Sequence, residues 1–223
     1  MQVSIIIPYN IDRGFLSGAI ASCENQAGFR LGVDYELIVQ AGDYGVSRNY
    51  NDAIRKAKGK YIKGCAEDDQ LLPNCLTDLY NFAESDDYDF VCANSHNFDS
   101  DGDTFTVMSY IPETVHELAC ENTIHGGTIL YKREALLELG KMNGGWIWDE
   151  NLGTAEEYEL TLRMAAAGFK FGWVDSMVYR YRMGWHQKSI QMLKTDHESK
   201  LDRDKVVDSI QRKYLFNNTI INR

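Results

Sequence analysis

The chain has 223 residues, of which 33 are acidic and 23 are basic, giving a formal net charge of −10 at pH 7. The length suffices for one large domain, and the acidic balance argues against nucleic acid or an anionic membrane surface as the main partner, because both attract basic proteins. A phosphate-bearing small molecule is compatible with this charge, since a divalent metal ion can bridge carboxylates to phosphates.

The cysteines and the first residues predict the compartment. The five cysteines are widely spaced and odd in number, a pattern that favours free thiols in a reducing compartment. A β-prone run starts at residue 3 without a preceding signal-like segment, and no apolar run approaches the length of about 18 residues that a membrane span needs. The sequence therefore predicts a cytoplasmic protein without a transmembrane segment.

The first 95 residues alternate between β-prone apolar runs and amphipathic stretches. The predicted strands cover residues 3–8, 35–42, 61–66 and 88–95, and the predicted helices cover residues 15–26, 47–59 and 72–86. Such an alternation is typical of a mostly parallel sheet with helices on its faces. Ligands of such sheets bind beyond the carboxyl ends of the strands.

The second half of the chain is less regular. It predicts a turn and an extended piece over residues 99–112, a strand that runs into a helix over residues 126–140, and a loop rich in Gly and Trp over residues 143–157. A helix over residues 156–169, an extended segment over residues 170–183 and a charged helix over residues 197–216 follow. No repeat or linker is present. We therefore expect a single domain over residues 1–189 and a C-terminal helical arm over residues 190–223.

Three carboxylates, Glu67, Asp68 and Asp69, follow the third predicted strand directly. Adjacent like charges at a strand end are unfavourable unless a cation joins them. Mg²⁺ or Mn²⁺ accepts carboxylate oxygens and keeps coordination positions open for phosphates. The alternative interpretation is a group of acids that favours the N-terminus of the helix that follows.

A second acidic cluster, Glu156, Glu157 and Glu159, opens the helix predicted at residues 156–169. A carboxylate beside the Trp-rich loop could act as a general base. The alternative is a helix N-terminus that carries acids, with Arg163 as an ion-pair partner. Helical spacing puts Glu156 and Glu159 on roughly one face and directs Glu157 elsewhere, so we expect Glu156 to turn away from the ligand crevice.

Five segments, taken in order, resemble the family 2 glycosyltransferases of GT-A fold: VSIIIPYN, GVSRNYNDAIRKAKGKYI, EDD, GGTILYKREALLELG and EEYELTLRMAAAGFK. The resemblance covers roughly residues 3–189. It implies an α/β fold with a Rossmann-like, mostly parallel sheet flanked by helices, a nucleotide-binding half over residues 1–95 and an acceptor and catalytic half over residues 96–189. It also implies inverting transfer of a sugar from a nucleotide-sugar donor to a glycan or other hydroxyl acceptor, usually with Mn²⁺ or Mg²⁺.

The resemblance also implies roles for single residues. Glu157 falls at the position of the family's general base, and Asp69 and His186 fall at metal-binding positions. Gly126 and Thr128 belong to the small-residue segment near the donor sugar. The residues implied in nucleotide or donor binding are Pro8, Tyr9, Asn10, Asp43, Arg48, Asn49, Glu67, Asp68 and Gly127.

The sequence departs from the family pattern at four places. The segment VQAGDYG has only Asp43 where the family usually has two aspartates, the second of which binds the base of the nucleotide. Ala66 replaces the first aspartate of the metal motif, with Glu67 as its expected substitute. Glu157 replaces an aspartate, and His186 falls two or three residues late. UDP is the expected nucleotide, with dTDP as the alternative.

Two tryptophans and the C-terminal arm leave alternatives open. Trp146 and Trp148 precede the expected base, and aromatic faces suit the C–H surfaces of sugars, so these residues are candidates for an acceptor platform, with core packing as the alternative. The arm carries an apolar stripe that could pack back on the domain or form a homodimer.

Two other enzyme classes and a non-catalytic role are alternatives to glycosyl transfer. A nucleotidyltransferase acting on sugar phosphates needs a basic, Gly-rich loop after the first strand, and PYNIDRG offers one Arg and one Gly. No GxGxxG follows that strand, which argues against a dehydrogenase. A non-catalytic relative that binds nucleotide sugars or glycans is the third possibility.

Overall fold

A computed structural model describes residues 1–184 and 197–223. The strands are β1 (Val3–Tyr9), β2 (Tyr35–Ala41), β3 (Tyr61–Gly64), β4 (Gln70–Leu71), β5 (Phe90–Asp99), β6 (Gly102–Val107), β7 (Leu130–Lys132) and β8 (Phe171–Arg182). The helices are α1 (Leu16–Glu24), α2 (Val46–Lys56), α3 (Cys75–Ser85), α4 (Val115–Cys120), α5 (Arg133–Met142), α6 (Glu156–Ala166) and α7 (His197–Tyr214), and a 3₁₀ turn covers Gly126–Thr128.

The strands form one sheet in the order β2-β1-β3-β7-β5-β8-β4, and β6 pairs with β5. β1 is parallel to β2 and β3, and β5 is parallel to β8. β7 lies antiparallel between β3 and β5, a neighbour that the sequence did not predict. Strands from both predicted halves of the domain therefore interleave in one sheet.

Strand β1, which lies between β2 and β3, contributes to both layers of the core. Ile5 and Ile7 pack on one face of the sheet with residues of α1 and α3, whereas Ile6 packs on the other face with Tyr50 and Ile54 of α2. Successive side chains of a strand point to opposite faces, so a run of β-branched residues fills two helix-covered layers at once.

The acidic residues lie in a turn that follows β3 and not in the strand itself. β3 stops at Gly64, two residues earlier than predicted, and the backbone N–H of Asp69 donates to the carbonyl of Ala66 at 3.2 Å. The chain then enters the unpredicted β4, in which Leu71 pairs with Tyr179 of β8. Acids are poor strand formers, and the turn places all three carboxylates at the carboxyl end of β3.

The C-terminal residues pack back on the domain. Ile210 and Tyr214 of α7 and the following Ile221 are buried in the main core, and the carbonyl of Asn222 accepts a hydrogen bond of 2.7 Å from the N–H of Phe171. The predicted apolar stripe is thus used within the chain, and homodimerisation has no support. None of the helices in the described segments is long and apolar enough to span a bilayer.

Candidate functional site

The carboxylate turn, residues 66–69, is held by β8. Asp69 is 2% exposed. Its Oδ2 accepts a hydrogen bond of 2.7 Å from the Tyr179 hydroxyl, and its Oδ1 accepts one of 2.7 Å from the backbone N–H of Arg182. The Arg182 side chain donates to the carbonyl of Asp68 at 2.7 Å, and Glu67 forms an ion pair with Arg13.

The turn suits a cation that a phosphate ligand helps to hold. Burial, and secondarily the neighbouring Asp68, raise the pKa of Asp69 to about 8, and a cation would relieve both penalties. No group of three or more His, Cys, Asp or Glu side chains forms a metal cage within the described segments. Mg²⁺ and Mn²⁺ sites commonly use only one or two carboxylates and complete their coordination with phosphates, which Asp68 and Asp69 fit. His186 lies outside the described residues.

A cavity of about 490 Å³, here called the first-strand cavity, borders the carboxylate turn. Its walls include six of the residues predicted to bind the nucleotide or donor: Pro8, Tyr9, Asn10, Asn49, Glu67 and Asp68. Their common location follows from the parallel pairing of β1 and β3, because the carboxyl ends of parallel strands meet at one edge of a sheet.

Asp43 and Arg48 lie away from the first-strand cavity, whereas Asn49 lines it and also bonds the backbone. Asp43 and Arg48 are exposed, the Arg48 guanidinium lies 4.7 Å from the centre of the Tyr44 ring, and neither residue lines the first-strand cavity. Asn49 is buried, and its Nδ2 donates to the carbonyls of Gly42 at 2.8 Å and Tyr9 at 3.4 Å. Asn49 therefore ties the ends of β1 and β2 together, and the nucleotide roles of all three residues stay predictions.

A second cavity of about 410 Å³, here called the aromatic cavity, adjoins the first. The two share five lining residues: Tyr50, Ala66, Asp69, Glu157 and Tyr181. Six aromatic side chains line the aromatic cavity: Tyr50, Tyr131, Trp148, Tyr158, Tyr179 and Tyr181. Helix α7 contributes Asp204, Val207 and Gln211 to its wall.

Glu157 lies where the two cavities meet. The preceding Ala155 has a left-handed backbone with φ of 59°, which turns the loop into α6. A methyl group at Gly126 would come within 2.6 Å of the Glu157 Cβ, so only glycine lets the 3₁₀ turn approach this closely. The 3₁₀ turn therefore packs directly against the first turn of α6.

The expected orientation of Glu156 is wrong, because this side chain also lines the first-strand cavity. Viewed along α6 at about 100° per residue, Glu156 lies between Glu157 and Glu159 and not opposite the crevice. Glu159 is buried and forms an ion pair of 2.8 Å with Arg163, as the alternative interpretation predicted for one acid of this cluster.

Lys63 of β3 is a site-supporting residue that the sequence analysis missed. It is 0% exposed, and its Nζ donates to the carbonyls of Gly64 at 2.7 Å and Gly127 at 2.5 Å. Nζ also lies 5.0 Å from the centre of the Tyr179 ring, against which Gly127 packs. Lys63 therefore joins β3, the 3₁₀ turn and β8; the available signal was a charged residue inside a buried strand.

The two tryptophans of the loop differ in environment. Trp148 is 2% exposed, stacks on Tyr50 with ring centres 4.7 Å apart and lines the aromatic cavity. Trp146 lies under the Arg163 guanidinium at 4.5 Å and outside both cavities. Asn51 of α2 was not among the predicted site residues. Its side-chain amide accepts from the backbone N–H of Trp148 at 2.9 Å and donates to the Trp148 carbonyl at 3.0 Å.

His125 contributes an imidazole ring to the wall of the aromatic cavity. Desolvation, and secondarily the Lys63 ammonium, lower its pKa to about 4. Its ring meets the edge of Tyr181 with centres 4.9 Å apart. Near neutral pH the imidazole therefore offers hydrogen bonds without a charge.

Comparisons with known proteins identify the family from the sequence and the fold from solved structures. The family model described as "Glycosyl transferase family 2" matches residues 17–140, more than half of the chain. The crystal structure of S. aureus TarS 1-349 in complex with UDP-GlcNAc is similar, with a TM-score of 0.63, 14% identity, and 96% of this chain and 72% of that chain covered. The complex of the same fragment with UDP has a TM-score of 0.61 at 15% identity, and the match covers 96% of this chain and 71% of that chain.

The longer S. aureus TarS structure gives a TM-score of 0.61 at 14% identity and covers 97% of this chain but 44% of that chain. No curated protein matches the sequence. The structural similarities confirm the predicted GT-A type fold.

Proposed function

Because the chain belongs to the family 2 glycosyltransferases, and is therefore a glycosyltransferase enzyme, we propose that it transfers a sugar from a UDP-sugar to a hydroxyl acceptor with inversion at the anomeric carbon. The observation that carries this proposal is the position of Glu157 between two adjoining cavities, one bordered by carboxylates and one by aromatic rings. The UDP and UDP-GlcNAc complexes of S. aureus TarS support the choice of donor.

The first-strand cavity is the proposed site of the nucleotide diphosphate. Pro8, Tyr9 and Asn10 lie at the carboxyl end of β1, and Asp68 and Asp69 lie in the turn that follows β3. A Mg²⁺ or Mn²⁺ held by these two aspartates offsets negative charge on the diphosphate when it is bound. Tyr179 and Arg182 fix Asp69 for this role through its two carboxylate oxygens.

Glu157 is the proposed general base. Its carboxylate takes the proton of the acceptor hydroxyl while that oxygen attacks the anomeric carbon from the face opposite the nucleotide. The C–O bond to the diphosphate breaks as the new glycosidic bond forms, so one displacement inverts the configuration. The N-terminus of α6 favours the ionised form of Glu157, which a base requires.

The donor proposal is tested by thermal shift and calorimetry on the full chain. UDP with Mn²⁺ should raise the melting temperature, because a ligand that binds only the native state stabilises it. We expect dTDP to bind less tightly or equally, and GDP and ADP to have little effect. A preference for a purine nucleotide would contradict the donor, and equal UDP affinity with and without EDTA would contradict the metal role of Asp68 and Asp69.

A further inference from the structure

We propose that the aromatic cavity binds the acceptor as one uncharged sugar ring, with the indole N–H of Trp148 as a hydrogen-bond donor and α7 as the outer wall. This inference rests on the proposed function, since it assigns the acceptor class of the same site.

The shape and surface of the cavity fit one sugar ring. Trp148 is stacked on Tyr50 at an interplanar angle of 14° and meets Tyr131 edge to face at 78°. Aromatic faces pack well against the C–H surfaces of a pyranose. The volume of about 410 Å³ lies within the range of about 300–1,000 Å³ that small-molecule sites occupy.

The buried polar atoms in this wall that lack protein partners include two ring nitrogens. Trp148 Nε1 and His125 Nδ1 have no hydrogen-bond partner among the residues that the structure describes. Buried polar atoms are nearly always hydrogen-bonded. An indole N–H can only donate, whereas a neutral imidazole nitrogen donates or accepts according to its tautomer. A sugar hydroxyl can serve both atoms because it accepts and donates.

The charged groups around the cavity disfavour an anionic acceptor. Glu157 and Asp204 both line it, and carboxylates repel phosphates and uronates. Asp204 belongs to α7, so the C-terminal helix contributes a carboxylate to the rim of this cavity.

The connection between the cavities brings a ring hydroxyl to the base. Glu157 lines both cavities, so a ring in the aromatic cavity and a donor in the first-strand cavity meet at one carboxylate. Holding both reactants at this boundary turns an encounter of two molecules into a step within one complex.

The test compares two matched probes on the full chain in the presence of UDP and Mn²⁺. Methyl β-D-glucopyranoside should bind, as measured by saturation-transfer NMR and calorimetry, and glucose 6-phosphate should bind at least about tenfold more weakly. Trp148→Phe keeps the stacked ring and removes the N–H. It should weaken the neutral probe about five- to tenfold, the usual worth of one hydrogen bond, and leave UDP affinity unchanged.

Two further variants control this experiment. Trp146→Phe changes an equivalent ring outside the cavity and should leave the affinity of both probes unchanged. Asp204→Lys alters an exposed residue at the rim, so the fold should tolerate it, and it should raise the affinity for glucose 6-phosphate several-fold relative to the affinity for the neutral probe.

Equal binding of the two probes, no binding of either, or no response to both Trp148→Phe and Asp204→Lys would overturn the inference. The UDP titration in the same samples separates the two proposals. A protein that binds the neutral probe but not UDP retains the sugar cavity and loses the proposed donor. A protein that binds UDP but neither probe retains the donor and loses this acceptor.

Discussion

Lys63 places a positive charge inside the sheet, next to the residues of the site. Its ammonium bonds two backbone carbonyls and faces the ring of Tyr179, whose hydroxyl in turn donates to Asp69. Buried lysines are rare because an unpaired ammonium loses its hydration. Here the carbonyl dipoles replace water, and the same bonds set the position of the Gly126–Thr128 turn against Glu157.

Replacing Lys63 with methionine should therefore destabilise the fold. The variant keeps the apolar stem but leaves the carbonyls of Gly64 and Gly127 without their donor, at a cost of about 1–3 kcal/mol in the free energy of unfolding. Urea unfolding measures this change. Lys60→Met is the matched control, since Lys60 forms an exposed ion pair with Glu84 of the kind usually worth less than about 1 kcal/mol. Equal losses in the two variants would contradict the role of Lys63.

Glu157→Gln should cut sugar transfer by about 10²–10⁴-fold, because it keeps the shape of the side chain and removes its capacity to accept a proton. UDP affinity should hardly change. Glu156→Gln is the comparison: Glu156 borders the first-strand cavity, so we expect its effect mainly on the KM of the donor and not on kcat. A kcat near the parent value for Glu157→Gln would place the base elsewhere.

His125 should make stability depend on pH in mildly acidic solution. Its pKa is lowered to about 4 in the fold and is about 6.5 in an unfolded chain, so the unfolded state binds the extra proton first. The neutral imidazole of His125 therefore contributes its full share of the folding stability above about pH 6.5, and this share is lost as the pH falls toward 4. Asp69, whose pKa is raised, acts in the opposite direction. The measurement is therefore the melting temperature of the parent minus that of His125→Gln, which should shrink across this window; a constant difference would contradict it.

Among the larger elements, the Trp loop and α2 form one unit. Asn51 is 1% exposed, and its side-chain amide bonds the N–H groups of Ile147 and Trp148 and the Trp148 carbonyl. On the far side of the loop, Arg163 of α6 donates to the carbonyl of Ile147 at 2.5 Å. The stacked ring of Trp148 is thus held in place by two helices.

Asn51→Ala should loosen this loop. The loss of several buried hydrogen bonds should lower the free energy of unfolding by about 2–4 kcal/mol, and the KM of the acceptor should rise while UDP affinity stays the same. Asp52→Ala on the same helix removes only a surface pair with Arg55 and should change stability by less than about 0.5 kcal/mol. Chemical unfolding and steady-state kinetics check both, and a harmless Asn51→Ala would show that the loop is held by its own packing.

The elements that could be predicted are those with a local cause. The β-branched run of β1 predicts a buried strand, and the adjacent acids after β3 predict a cation site, because burial and charge repulsion act on neighbouring residues. β7 and β4 could not be placed, since their pairing depends on residues distant in sequence. Asn51 likewise looks like any polar residue of an amphipathic helix until the loop that it binds is known.

At the scale of the whole molecule, the C-terminal helix is part of the domain core. Tyr214 and Ile210 are buried against the main cluster, and the carbonyl of Leu215 bonds the ring of His116 on α4. Since α7 also lines the aromatic cavity, its docking couples the stability of the fold to the shape of the proposed acceptor site.

Tyr214→Ala should undock this helix. Removing a buried aromatic side chain typically costs about 3–5 kcal/mol, and acceptor binding should weaken with it. Phe216→Ala is the control, because Phe216 is 89% exposed and lies two residues further along. Thermal unfolding of the two variants should differ clearly; similar melting temperatures would mean that the helix contributes little to the native state.

The bonds that hold Asp69 also fix when the enzyme can first work. Their donors on β8 follow Asp69 by 110 and 113 residues, and β3 finds its second neighbour only when β7 has been made. Contacts between such distant residues form late in folding. A nascent chain that leaves the ribosome with its first three strands complete therefore still has an unanchored carboxylate turn. We expect stalled chains that end before β8 to bind no UDP, so that activity begins only after β8 has been made.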